Sequence, residues 1–117
     1  MAKRIANVIV DSPIREPLDY LVPADIEIQV GQRCLVPLGT RKVVGIVVGF
    51  SEESRFSKLR EVISRVDDIA PLSFGWLALT SFAARYYQSG WGQVAIPALP
   101  KFFRKLPGNF MNVRLNV

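Results

Sequence analysis

The sequence of 117 residues contains no histidine and only one cysteine, Cys34. The commonest general base and metal ligand is therefore missing, and one thiolate cannot build the four-ligand site of a structural zinc ion. A single cysteine forms no intramolecular disulfide, which is typical of cytoplasmic proteins. Because Cys34 lies in an apolar run, we interpret it as a small core residue. We expect no metal site and no catalytic residue.

Nucleotide-binding motifs and long hydrophobic segments are also missing. The sequence has neither a phosphate-binding loop ending in Gly-Lys-Ser/Thr nor a Gly-x-Gly-x-x-Gly motif, so ATP hydrolysis cannot be assigned to it. The adjacent pair Asp67 and Asp68 precedes Pro71, which favours a turn over acid–base chemistry. No apolar stretch approaches the roughly 20 residues of a membrane-spanning helix, and the N-terminus has no signal-peptide pattern. We therefore predict a cytoplasmic protein with no membrane partner and no small-molecule substrate.

Acidic residues are absent from the last part of the chain. The net charge is +5, from 15 lysines and arginines against 10 acids. Through Asp68 ten basic and ten acidic residues cancel, and the excess comes from five later cations: Arg85, Lys101, Arg104, Lys105 and Arg114. A basic half without acids favours a polyanionic partner. A solvated tail explains the same pattern equally well.

The apolar patterns predict a small, mainly β body over residues 1–68. Residues 5–10 form a continuous apolar run that indicates a buried strand, and residues 18–22 a shorter strand. Residues 33–37 and 42–50 read as two strands joined by a short connection with Gly39. Gly45 and Gly49 inside the second of these indicate a bulge, a bend or a close backbone approach. Residues 59–66 predict a further strand, although their spacing also permits a helix.

After Pro71 the pattern changes to helical spacing. Residues 72–88 predict one helix, which is apolar nearly all round and should therefore be mostly buried. Prolines and glycines predict an irregular chain after Gly90. We expect an α+β fold: a barrel-like or open-sheet body, one buried helix and an irregular basic tail. The parts are β over 1–68, helical over 69–90 and irregular over 91–105, with 106–117 as the start of a linker to a downstream region.

Four short stretches carry a resemblance to a known family. They are LDYLVP at residues 18–23; GQRCLVPLG at 31–39, followed by GIVV at 45–48; LREVI at 59–63; and AARYY at 83–87, followed by Gly92 and ALP at 98–100. In this order the sequence resembles the N-terminal domain of the PriA family of bacterial primosomal helicases. The resemblance covers most of the chain, from about residue 5 to residue 100.

The resemblance implies a domain that binds the 3′ end of a nascent strand at stalled replication forks. The residues that match the family's pocket are Leu18, Asp19, Tyr20, Gly39 and Arg60. Asp19 can accept a hydrogen bond from a free 3′-hydroxyl, and Tyr20 can stack on a sugar or base. Gly39 lets the backbone approach the ligand, and Arg60 can bind a phosphate. Leu18 stands where the family often has phenylalanine, and Arg60 where it often has lysine.

Basic residues outside the pocket are candidates for contacts with the DNA backbone: Arg41, Lys42, Lys101, Arg104 and Lys105. The expected partners are DNA and, through the resemblance, other primosome proteins. The ATP, magnesium and zinc of the resembled helicases would be bound by other parts of such proteins, so no cofactor is expected here. Three alternatives stay open: a module that takes a peptide along a sheet edge, a ribosomal-type RNA-binding domain, and a carboxylate enzyme in which a second acid meets Asp19.

Overall fold

The computed structural model describes residues 4–54, 58–66 and 71–99. They form an open, five-stranded antiparallel sheet followed by two helices, which confirms the predicted α+β class. The elements are β1 (Arg4–Ile9), β2 (Leu18–Val22), β3 (Arg33–Leu38), β4 (Arg41–Ser51), β5 (Ser64–Arg65), α1 (Phe74–Tyr86) and α2 (Trp91–Ala98). The strand order across the sheet is β2-β1-β4-β3-β5.

The sheet is covered on both faces, which explains why its central strands are largely apolar. Val8 of β1 pairs with Val47 of β4, and Ile9 pairs with Ile46. Successive side chains of a strand point to opposite faces, so each pair lies in a different cluster. The first core contains Ala6, Val8, Val10, Tyr20, Val22, Ile28, Cys34, Val36, Val47 and Val62. The second core contains Ile9, Ile46, Leu77, Ala95, Ile96 and Leu99 and joins the helices to the sheet.

Glycines shape the two central strands as the sequence predicted. The β3–β4 hairpin turns at Gly39, whose φ of 62° lies in the left-handed region that favours glycine. A Cβ atom on Gly45 would lie 2.5 Å from Cγ1 of Val8, so the close backbone approach is confirmed. Gly49 pairs with Asn7 where the β1–β4 register shifts, and the expected bulge is therefore present as well.

The segment 59–66 is mostly not the strand that its composition predicts. Only Ser64–Arg65 pairs with β3 as β5. The preceding residues contact the other edge of the sheet, because the Leu21 amide donates to the Arg60 carbonyl (2.9 Å) and the Val62 amide donates to the Leu21 carbonyl (2.9 Å). The segment thus crosses from the outer edge of β2 to the outer edge of β3. Its course places Arg60 beside β2.

A second helix occupies part of the chain that we predicted to be irregular. α2 begins after Gly90 and ends one residue after Pro97, so the proline lies in the last turn and does not interrupt a longer helix. Gly92 is required for packing, because a Cβ atom there would lie 1.6 Å from the Val10 carbonyl oxygen at the end of β1. Gly92 and Pro97, which predicted an irregular chain, therefore permit a close backbone contact and lie in the last turn of a helix, respectively.

The first helix is exposed on one side, and the prediction that it is mostly buried is wrong. Ser73 caps α1, as its hydroxyl accepts a hydrogen bond from the Trp76 amide at 3.1 Å. α1 packs against α2, and its buried residues are Leu77, Thr80 and Ala84. The opposite surface carries large exposed side chains: Phe74, Leu79, Phe82, Tyr86 and, just after the helix, Tyr87. Periodicity identified the helix, but one neighbouring helix covers only one of its faces.

Three further expectations from the sequence have different outcomes in the structure. Cys34 is fully buried in the first core, as predicted, and burial raises the pKa of its thiol to about 12. Neither helix within residues 4–54, 58–66 and 71–99 has the length and apolar character that crossing a membrane requires. The basic residues Lys101, Arg104 and Lys105, and the predicted linker over 106–117, lie outside the described residues.

Candidate nucleic-acid interface

A surface cavity of about 240 Å³ lies between β2 and the segment that crosses its outer edge. Its lining consists of Leu18, Asp19, Tyr20, Lys58, Leu59 and Arg60, and we refer to it as the β2 cavity. Four of the five pocket residues predicted from the sequence line it, although about 40 positions separate Arg60 from the other three. The backbone hydrogen bonds of Leu21 bring the two parts of the chain together.

Gly39, the fifth predicted residue, is tied to the β2 cavity through Arg60. The Arg60 Nη1 donates to the Gly39 carbonyl oxygen at 2.7 Å. The left-handed conformation of Gly39 turns the hairpin at this point, so the guanidinium is anchored to a fixed turn. A guanidinium has five N–H donors, and the exposed Arg60 side chain keeps donors available for a phosphate oxygen.

The Asp19 carboxylate is part of a polar network between β1, β2 and the end of β4. Its Oδ1 accepts from Asn7 Nδ2 at 2.9 Å, and its Oδ2 accepts from Ser54 Oγ at 2.7 Å. Asn7 lies directly opposite Asp19 in the β1–β2 pairing and also donates to Ser51 Oγ at 3.1 Å. Because a carboxylate has about four lone-pair sites, these two bonds hold Asp19 in place and leave room for another donor.

Tyr20 lines the β2 cavity from within the first core. Only 4% of its surface is exposed, and its hydroxyl donates to the Pro37 carbonyl oxygen at 2.7 Å. Burial raises the pKa of the phenol, Cys34 raises it further, and Arg60 acts in the opposite direction. The neutral phenol thus fastens β2 to the strand end that leads into Gly39. A ring this buried offers little face for the stacking that we predicted.

Lys58 and Leu59 line the cavity, and the sequence analysis did not identify them. A signal was present, since Lys58 and Arg60 flank an apolar residue and place two cations at one edge. Asn7 and Ser54 were missed too. Asn7 could have been noticed as the one polar residue in the apolar run of β1, whereas nothing in the sequence marks Ser54. The network of Asp19 therefore depends on strand pairing that only the fold reveals.

Two further predicted contacts lie near this site without lining the cavity. Arg41 and Lys42 begin β4, directly after the turn at Gly39, and both are exposed. Their charges lie on the hairpin that also carries the partner of Arg60. Within the described ranges, no three Cys, Asp or Glu side chains come together in a group that could hold a metal ion.

Comparison with known proteins identifies a family over most of the chain. A family described as "3'DNA-binding domain (3'BD)" of PriA matches residues 7–100. The Replication restart protein PriA of Haemophilus influenzae is 38% identical over 102 residues, which cover 83% of this chain and 14% of that protein. The protein of the same name from Rickettsia felis is 31% identical over 97 residues, 83% of this chain and 15% of its own. That of Rickettsia conorii is 27% identical over 113 residues, 97% and 17% respectively.

Proposed function

The chain belongs to the PriA 3′DNA-binding domain family, and on this basis we propose that it is the DNA-binding module of a replication-restart protein and takes the 3′ end of a strand into the β2 cavity. The observation that carries the proposal is the convergence of Leu18, Asp19, Tyr20 and Arg60 on one cavity from two distant parts of the sequence. The description of the family and the name of the relatives support the same function.

Recognition of the end depends on Asp19 in this proposal. An ionised carboxylate only accepts hydrogen bonds, so it can bind the proton of a terminal 3′-hydroxyl. An internal nucleotide has an ester oxygen at that position and no proton to donate. A terminal 3′-phosphate would instead bring negative charge towards Asp19. The bonds from Asn7 and Ser54 orient the carboxylate before DNA arrives, which reduces the entropy lost on binding.

The remaining lining residues would hold the nucleotide without reading its base. Arg60 and Lys58 supply positive charge for the backbone phosphate, and such contacts position DNA but carry no sequence information. Leu18 and Leu59 offer apolar surface to the sugar and base. Tyr20 fixes the Pro37 carbonyl and so supports the turn to which Arg60 is tied. We therefore expect end-specific, sequence-tolerant binding.

The activity of the intact protein is a wider part of the proposal. The chain spans 14–17% of the length of the three relatives described above. We propose that the intact protein acts as an ATP-dependent helicase at stalled forks, with other primosome proteins as partners. This module would supply its hold on the 3′ end of the nascent strand.

The peptide-binding alternative receives less support from the sheet edges. The outer edge of β2 is engaged by the segment 60–62, since both the amide and the carbonyl of Leu21 are hydrogen-bonded there. The other edge strand, β5, is two residues long. A peptide that adds to a sheet needs a row of free backbone groups, and neither edge strand offers a long one.

The proposal is tested by comparing single-stranded DNA that ends in a 3′-hydroxyl with the same strand ending in a 3′-phosphate, using fluorescence anisotropy at fixed salt. A hydrogen bond to a charged group contributes about 1.5–3 kcal/mol, so we expect a preference of roughly 10- to 100-fold for the hydroxyl. Asp19→Asn should abolish most of that preference. Asp25→Asn is the matched control, because it removes the same charge from an exposed loop residue.

The control separates end recognition from general electrostatics. Loss of any acidic charge strengthens DNA binding slightly, and Asp25→Asn measures that effect without touching the β2 cavity. If the unaltered domain bound both ends equally, or if Asp25→Asn reduced the preference as much as Asp19→Asn, end recognition by Asp19 would be refuted.

A further inference from the structure

A second surface cavity, of about 220 Å³, collects basic and hydroxyl side chains that do not line the β2 cavity. It lies between the loop after β1 and the C-terminal turn of α1, and we refer to it as the arginine cavity. Its polar lining consists of Arg15, Ser81, Arg85, Gln88 and Ser89, with Trp91 beside them. Among the residues that the structure describes, no acidic side chain lines it. From the sequence, Arg85 belongs to the charge balance and to the AARYY stretch of the resemblance, but neither Arg85 nor Arg15 is assigned a binding role.

Backbone packing delivers Arg15 to this place. A Cβ atom on Gly90 would lie 2.4 Å from the Ser12 carbonyl oxygen and 2.7 Å from that of Ile14. The loop after β1 therefore rests directly on the connection between α1 and α2, which only glycine permits. Arg15 follows this contact, and its Nη2 donates to the Gln88 carbonyl oxygen at 3.2 Å.

The opposite wall depends on an uncommon backbone conformation. Gln88 has φ 54°, and a residue other than glycine rarely adopts this region. The turn lets the Ser89 amide donate to the Ala84 carbonyl at 2.8 Å, and it folds Ser89 and Trp91 back towards α1. The Trp91 Nε1 donates to Thr80 Oγ1 at 3.0 Å, which holds the indole in the wall. The left-handed Gln88 followed by the Ser89–Ala84 hydrogen bond is the Schellman motif that commonly ends helices, so the turn positions the wall and is not itself evidence of a ligand.

The composition of the arginine cavity fits a phosphate group. Two arginine side chains line one small cavity, and a bound anion would be attracted by both. The planar fork of arginine matches the oxygens of a phosphate, and serine hydroxyls are common donors to the DNA backbone. We propose that Arg15 and Arg85, with Ser81 and Ser89, bind a backbone phosphate of the DNA strand whose 3′ end occupies the β2 cavity.

The chain connectivity sets the distance between the two sites. Arg15 precedes Leu18 of the β2 cavity by three residues, so their Cα atoms lie within about 11 Å of each other. Phosphates of one strand repeat about every 3.4 Å along a DNA duplex. Both cavities are therefore within reach of one strand, and we expect the bound phosphate a few nucleotides from the terminus. This assignment rests on the proposed function, but the salt dependence of DNA affinity tests it separately from the preference for a 3′-hydroxyl.

The test uses Arg85→Gln and a matched control, Arg65→Gln, which removes the same charge at β5. Affinity for a 3′-hydroxyl decanucleotide is measured by anisotropy over a range of salt concentrations. We expect Arg85→Gln to weaken binding several-fold and to lower the slope of log K against log salt by about 0.7, the value for one single-strand phosphate contact. Arg65→Gln should keep the original slope, and both variants should keep the preference for a 3′-hydroxyl.

A scan with neutral linkages identifies the phosphate. Single methylphosphonate substitutions are placed one at a time along the decanucleotide. One position a few nucleotides from the 3′ end should weaken binding to the unaltered domain several-fold and have a clearly smaller effect on Arg85→Gln, in which Arg15 remains. An equal response of both proteins at every position would overturn the proposal. Equal binding of 3′-hydroxyl and 3′-phosphate DNA by the unaltered domain would refute the proposed function instead. The change of the salt slope in Arg85→Gln would still report the phosphate contact.

A last comparison distinguishes DNA from free phosphate. Trp91 lines the cavity, and a Trp76→Phe background leaves it as the single tryptophan. The decanucleotide should change its fluorescence at lower concentrations than inorganic phosphate does at the same ionic strength. A response to inorganic phosphate with none to DNA would assign the cavity to the free anion and refute DNA as its ligand.

Discussion

Replacing Tyr20 with phenylalanine removes one oxygen atom from the first core and leaves the aromatic ring in place. In the structure that oxygen donates to the Pro37 carbonyl at 2.7 Å. Both residues are buried, so water cannot replace the lost donor without entering the core. The substitution therefore leaves a buried carbonyl acceptor unsatisfied, two residues before the Gly39 turn that anchors Arg60.

The expected cost follows from this single bond. A typical hydrogen bond contributes about 1 kcal/mol net, but a buried group left without its partner costs about 1–3 kcal/mol. We therefore expect Tyr20→Phe to lower the free energy of unfolding by about 2 kcal/mol. In urea, where small domains lose about 1–3 kcal/mol per molar denaturant, the unfolding midpoint should fall by about 1 M with an unchanged slope.

Urea unfolding followed by circular dichroism measures this change, and Tyr86→Phe is the matched control. Tyr86 undergoes the same chemical change at a site where 72% of its surface is exposed. Its free energy of unfolding should change by less than about 0.5 kcal/mol. Binding of 3′-hydroxyl DNA to Tyr20→Phe should keep its preference over the 3′-phosphate, because Asp19 is unaltered.

A small effect of Tyr20→Phe, equal to that of Tyr86→Phe, would refute the reasoning. It would mean that the phenol does not hold β2 to the end of β3.

Two other predictions concern burial. The Cys34 thiol has its pKa raised by burial from 9.0 to about 12, so its stabilising effect is complete below pH 9 and is lost as the pH rises towards 12. The free energy of unfolding should fall by about 1 kcal/mol between about pH 9 and 10, and Cys34→Ala should lack that decline. Phe82 is 60% exposed on α1, so Phe82→Ser should change the free energy of unfolding by less than about 0.5 kcal/mol. Urea unfolding at several pH values measures both.

Either prediction can fail clearly. Rapid reaction of Cys34 with a thiol reagent in the folded domain near neutral pH would contradict its burial. A loss of several kcal/mol in Phe82→Ser, the usual result of truncating a buried phenylalanine, would contradict the exposure of that face of α1.

Much of the candidate site was predictable because its residues lie in three short segments with a recognisable order. The resemblance assigned roles to Asp19, Gly39 and Arg60, and the structure brings these residues to one place or ties them to it. Their roles in binding DNA stay a prediction. Asn7 and Ser54, which position the Asp19 carboxylate, could not be predicted, because their contacts depend on strand pairing and on the course of a loop.

The errors in the helical part have a common physical cause. A pattern of apolar residues records which side chains avoid water, but not how much neighbouring surface is available to cover them. It identified α1 yet predicted burial for a face that carries exposed Phe82 and Tyr86. In the same way, Gly92 and Pro97 have low helix propensity, and tertiary packing against Val10 overrides it in α2.

The sequence by itself determined the elements that depend on residues close together in the chain. The continuous apolar runs determined β1 and β4, the glycine at position 39 determined the hairpin, and the helical periodicity after Pro71 determined α1. Only the tertiary structure decided which distant residues meet. It set Arg60 beside β2 through the backbone bonds of Leu21, and Arg15 beside Arg85 through the contact of Gly90 with the loop after β1. Local propensity acts over a few residues, whereas both cavities form from segments that only long-range packing brings together.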